Sequence, residues 1–127
     1  MWLEKPPLGT SLIQDHPQLD GLKLWLPMLE GNGDITQDLS GNGNDGVLTN
    51  MDFPATAASG WNPGERGKAV EFDGDNDNVD LGVITTDNPL QLSGGGTIMF
   101  WFLHHGFGDE WQRIIDKSTG GDAADGY

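Results

Sequence analysis

Two stretches gather oxygen-bearing side chains densely enough to do chemistry. The first, "DLSGNGNDGVL" from Asp38 to Leu48, carries Asp38, Asn42, Asn44 and Asp45; the second, "DGDNDNVD", runs from Asp73 to Asp80. Calcium takes six to eight oxygen ligands and often mixes carboxylates and amides with carbonyls from tight turns. Asp38, Asn42, Asn44, Asp73 and Asp75 are therefore candidate calcium ligands. Neither stretch is an EF-hand. The twelfth position is Thr49 counted from Asp38 and Ile84 counted from Asp73, where a bidentate Glu is required.

The first stretch also places Gly41, Gly43 and Gly46 at the G-x-G-x-x-G spacing of nucleotide-binding loops. A phosphate cradle needs a strand before the glycines and a helix opening on the last one. After Gly46 comes "VLTNMDFPA", with a β-branched residue, Pro54 and no helical period. A turn at the rim of a β-structure is the expected role.

Glu71 and Asp73 raise a catalytic alternative. Residues two apart on a strand share a face, and paired carboxylates hydrolyse glycosides. The pattern resembles the Glu-x-Asp-x-x-Glu of jelly-roll endoglucanases, but Asn76 stands at the third position and cannot transfer the proton. His104 and His105 are neighbours on what reads as a strand end, so they face opposite ways, and His16 is isolated. No G-x-S-x-G, H-E-x-x-H or Walker lysine occurs. The expectation is a protein without catalysis of its own.

The tryptophans divide by context. Trp25 and Trp101 sit in apolar runs and read as core. Trp2, Trp61 and Trp111 stand nearer loops, where a ring packs inward or stacks on a sugar or a partner protein. Trp61 and Trp111 are the candidate ligand-binding residues.

These groups must be positioned by short strands. Twenty glycines punctuate 127 residues, and each glycine inside a helix costs about 1 kcal/mol relative to alanine. Many brief strands joined by tight turns tolerate that composition. "GLKLWLPM" (Gly21 to Met28) alternates like a half-buried strand, with Pro27 marking an edge or an end. "GVL" (Gly46 to Leu48) reads as a short strand after the glycine loop, and "GDITQDLS" as a weak one before it. "KAVEFDG" and "NVDLG" flank a polar turn as an expected hairpin. "TIMFWFL" (Thr97 to Leu103) is apolar on both faces, as in the middle of a two-layer sandwich, and "WQRIIDK" (Trp111 to Lys117) reads as the next strand. Residues 1–20 are Pro-rich and read as an arm, with one helical turn expected near Ser11 to Asp15.

Six Lys and Arg against 20 Asp and Glu give a net charge of -14. That sign repels nucleic acid and anionic membranes, and no apolar run approaches the roughly 20 residues of a membrane-spanning helix. There is no cysteine, so disulfides and thiolate zinc sites are excluded. The first residues lack the basic and apolar regions of a cleavable signal peptide.

In this order the features resemble those of laminin-G-like, concanavalin A-like jelly rolls: "GLKLWLPMLEGNG", "DLSGNGNDGVL", Trp61, "PGERGKAVEFDGDNDNVDLG", "LSGGGTIMFWFL" and "RIIDKSTGG". The resemblance spans Gly21 to Tyr127. The opening "PPLGTSLIQDHPQLDGL" resembles leaders of such domains in tailed-bacteriophage and viral-metagenome proteins. The resemblance implies an all-β, two-sheet antiparallel sandwich in residues 21–127 that binds glycans or proteins, with calcium at its rim. It implies a virion or extracellular location. About six strands are expected, roughly half a complete jelly roll, which leaves apolar faces and strand edges to be covered. The chain is thus expected to be a fragment, to self-associate, or to be completed by another virion protein.

Overall fold

The structure is a computed structural model, which describes residues 5, 7, 9–10, 12, 16–82, 88–92, 94–106 and 113–117. The regular elements among them are five short strands and one turn of 3-10 helix, Pro17–Leu19. The protein is all-β. The helical turn expected near Ser11 to Asp15 falls largely outside the described residues. The chain divides into two units, Met1–Val83 and Ile84–Tyr127, and all five strands lie in the first.

Strands β1 (Ile35–Thr36), β2 (Gly46–Thr49) and β5 (Asn78–Asp80) form one antiparallel sheet in the order β1-β2-β5. Strands β3 (Gly60–Gly64) and β4 (Gly67–Glu71) form a second. The β3–β4 pair is a tight hairpin, because Gly64 pairs with Gly67 across Glu65 and Arg66. Gly67 has a φ of 116°, a conformation that side chains resist. Pro63 lies inside β3, opposite Lys68; in a two-stranded sheet its missing N–H can face outward at no cost.

The hairpin expected between Lys68–Gly74 and Asn78–Gly82 does not form. Strand β4 pairs with β3 and β5 pairs with β2, so the polar turn carries the chain from one sheet to the other. Side-chain bonds hold that crossing: the Asp73 amide donates to Asp77 Oδ2 at 3.1 Å, and the Ser59 hydroxyl donates to the same oxygen at 2.6 Å.

The two sheets meet in one small core. Leu48 and Val79 are cross-strand partners in the first sheet, and Trp61 and Val70 are partners in the second. These four pack together with Met51 and Met28. Gly60 makes room for the approach: it has a φ of 92°, and a Cβ there would lie 2.5 Å from the Asp52 carbonyl oxygen.

The run Gly21 to Met28, expected as a strand, joins no ladder. Two features end its extension: Pro27 has no amide to donate, and Met28 turns to a φ of 53°. Its backbone is satisfied instead by side chains of the Asp38–Asp45 loop. Lys5 is also tied down. Lys5 Nζ donates to the Met28 carbonyl at 3.1 Å and to the Lys68 carbonyl, and its amide donates to Arg66 O at 3.3 Å. Burial draws the Lys5 ammonium below its ordinary pKa, an effect the Glu30 charge partly opposes. Replacing Lys5 by methionine keeps the stem but removes both side-chain bonds. A loss of about 1–2 kcal/mol in urea unfolding is expected.

In the second unit, the segments Thr97 to Leu103 and Arg113 to Lys117, both expected as strands, enter no ladder. The latter bends at Ile114 and Ile115, with Arg113 paired to Asp116. Trp111 lies outside the described residues. Side chains apolar on both faces require neighbouring strands and two covering layers, and the five strands of the first unit belong to their own two sheets.

Candidate functional site

The loop from Asp38 to Asp45 connects β1 to β2, and its centre is the Asp38 carboxylate, which is only 8% exposed. Oδ1 accepts from the Trp25 amide at 3.0 Å and from the Ser40 amide at 2.9 Å. Oδ2 accepts from the Ser40 hydroxyl at 2.8 Å and from the Asn44 amide at 3.0 Å. Asp45 closes the base, its Oδ1 accepting from the Asp38 amide at 2.8 Å. Burial raises the Asp38 pKa, but bonds from the Ser40 side chain and from the amides of Trp25, Ser40 and Asn44 outweigh it, and the carboxyl titrates below its ordinary value.

The two asparagines reach outward from this centre. Asn42 Nδ2 donates to the carbonyls of Leu22 and Lys23 at 3.0 and 3.2 Å, and Asn44 Nδ2 donates to Lys23 O at 3.1 Å. Leu39 N completes the embrace by donating to Trp25 O at 2.9 Å. The loop thus holds the backbone of Leu22 to Trp25 much as a paired strand would. Gly41 and Gly43 permit it, with φ values of 90° and 74°. Gly46 is needed for another reason: a Cβ there would lie 2.5 Å from Val79 Cγ1. A strand, not a helix, begins at Gly46, so the spacing that resembles a phosphate cradle builds a strand clamp.

This geometry bears on calcium. A carboxylate has about four lone-pair directions, and all four of Asp38 point at protein donors. Asn42 and Asn44 direct their amide nitrogens, not their oxygens, at the clamped segment. In this arrangement the Asp38 oxygens serve the clamp, while the side-chain oxygens of Asn42 and Asn44 are not the atoms that hold Leu22 and Lys23.

The Asp73 turn is built differently. Asp73 Oδ1 accepts from the Asp75 amide at 2.8 Å, with Gly74 between them at a φ of 81°. Asp73 and Asp75 are exposed. Asp77 Oδ2 takes the two bonds that carry the chain between the sheets, while Oδ1 is buried with no hydrogen-bond partner. The Asn76 carbonyl accepts from Asn50 and Asn78 side chains. Among the described residues, no three His, Asp or Glu side chains converge as a metal site requires. Strand β4 ends at Glu71, so Glu71 and Asp73 are not the same-face pair on one strand that glycoside hydrolysis suggests.

Of the tryptophans, Trp61 takes the packed alternative and Trp101 departs from the core place expected of it. Trp61 is 6% exposed and part of the core, its Nε1 donating to the Gly33 carbonyl at 2.7 Å. It is not an open stacking platform. Trp25 is half-buried, and Trp101, expected inside, is 81% exposed. The signal for Trp61 is Gly60 before it and a tight Gly-Glu-Arg-Gly turn after it, which together make a hairpin despite Pro63. A cleft of about 210 Å³ lies over the edge of Trp61, lined by Gly31, Asn32, Gly33, Phe53, Pro54 and Ala55.

No protein-family model, curated protein or solved structure matches this chain.

Proposed function

We propose that this chain is a non-catalytic structural or recognition module, a component of a bacteriophage particle such as a tail, fibre or capsid-decoration protein. In this reading it is a jelly-roll sandwich that acts through protein or glycan partners, on a virion or outside the cell. The resemblance of its ordered sequence blocks supplies the virion setting. One structural observation carries the rest: the side chains suited to chemistry hold the chain together, whereas the apolar run Ile98 to Leu103 is turned to solvent. Exposed apolar surface of that kind marks sites of association.

The test is a paired assay on the purified chain. Multimers or a tight protein partner, with no β-glucan hydrolysis, are expected. Hydrolysis abolished by Glu71→Gln would overturn the reading.

A second reading, a carbohydrate-binding module of a larger secreted enzyme or adhesin, draws on the cleft beside Phe53, whose side chain is exposed and lines it. Affinity on a glycan array that falls with Phe53→Ala or Trp111→Ala would favour it.

Calcium stays within the proposal for Asp38, Asn42, Asn44, Asp73 and Asp75, of which Asp73 and Asp75 are exposed. Thermal melting with and without chelator checks it. Binding there is expected to raise stability by about 2.7 kcal/mol at a hundredfold excess over the dissociation constant. An unchanged midpoint, with no metal by elemental analysis, removes it.

A further inference from the structure

From Asn88 to Gly106 the chain carries no Asp, Glu, Lys or Arg. At the centre of this uncharged strip, Ile98 to Leu103 form six consecutive large apolar residues, each between 46% and 82% exposed. Their exposure is patterned. Met99, Trp101 and Leu103 are the most open, while Ile98 and Phe100 are about half covered. Phe100 and Phe102 bring their ring centroids to 5.6 Å, as residues two apart on one face of an extended chain do. The segment is shaped like a strand, yet it enters no sheet.

We propose that Ile98 to Leu103 pairs with the same segment of a second copy, as an antiparallel strand pair about a two-fold axis. This rests on the structural-module reading and names its partner. Three observations select a second copy. The first is area. With fully exposed aromatic side chains at about 150–250 Å² each, the six residues present on the order of 800 Å², beyond the largest patch of an ordinary monomer. Pairing covers part of it, as cross-strand neighbours of the two copies pack together on both faces.

The second is charge. Two copies at -14 each repel, and an uncharged strip lets them touch without bringing carboxylates together. The third is self-complementarity. A two-fold axis sets the same patch against itself, and a strand apolar on both faces offers the same chemistry in either direction. Met99, Trp101 and Leu103 of the two copies then pack beside one another on one face of the pair, with Trp101 near the axis.

Sedimentation equilibrium of the full chain over a concentration series is the test. A closed dimer of twice 13.7 kDa is expected. The double variant Met99→Lys, Trp101→Lys is expected to weaken it at least 100-fold with the circular dichroism of the fold retained. Hydrogen exchange needs no variant: amides 98–103 should slow as the unaltered chain is concentrated. A monomer at every concentration, scattering that grows without limit, or a dimer whose amides 98–103 stay fast each overturns the pairing. None of these outcomes touches the module reading, which falls on glucan hydrolysis instead.

Discussion

Replacing Asp38 by alanine is expected to cost the first unit about 3 kcal/mol or more, a large share of the 5–15 kcal/mol that holds an ordinary domain. The carboxylate accepts four hydrogen bonds at 2.8–3.0 Å. Bonds to a charged group contribute about 1.5–3 kcal/mol each. Ser40 and Asn44 are half-buried, so water recovers part of the loss on that side of the loop. With the Trp25 amide bond goes the register of the Leu22 to Trp25 segment. Asp38→Asn should be milder, because one carbonyl oxygen still accepts while the new Nδ2 faces amide donors. Chemical denaturation of both variants gives the ordering.

The same carboxylate sets an acid limit. Its folded pKa lies below the ordinary value, as the donors around it outweigh burial. For a depressed carboxyl the stabilisation is complete above the unfolded value, about 3.9, and is lost as pH falls through the folded one. Melting midpoints of the unaltered chain should therefore fall below about pH 4 more steeply than those of Asp38→Asn.

Trp61→Ala is expected to cost about 3–5 kcal/mol, the range for removing a large buried ring. The ring packs with Leu48, Met51, Met28, Val70 and Val79, where the two sheets meet. Its loss therefore opens the core between β2–β5 and β3–β4 and removes the 2.7 Å bond to Gly33. Trp61→Phe keeps most of the packing and should cost little beyond that bond, about 1 kcal/mol. Urea titrations of both proteins separate the two terms. Loss of any ligand in Trp61→Ala then reports unfolding, not a missing sugar contact.

How much of the fold is legible in the sequence depends on how local each signal is. The strand at Gly46, the turn role of Gly41 and Gly43 and the all-β character rest on neighbouring residues, and the structure has them. Alternation alone misleads at Gly21 to Met28. A strand signal records which side chains are apolar, and the partner here is a loop whose Asn and Asp side chains imitate a ladder. The crossing at Asp73 to Asp77 reads as a hairpin turn because its anchor, Ser59, is distant in the chain. Trp61 looks peripheral beside Pro63, since nothing local announces that its β3–β4 sheet packs against β2 and β5. The oxygen clusters are plain in the sequence. Whether their lone pairs face a cation or an amide depends on where the donors of Trp25 and Asn44 lie, which is a matter of tertiary structure.

Amide hydrogen exchange at Trp25, Ser40 and Asn44 tests most directly whether the acidic loop is a clamp. In metal-free buffer these amides are expected to be protected, and in Asp38→Ala their exchange should quicken at least 100-fold while β3–β4 amides such as Trp61 stay slow. Rapid exchange in the unaltered chain, or protection that develops only on adding calcium, would contradict the account.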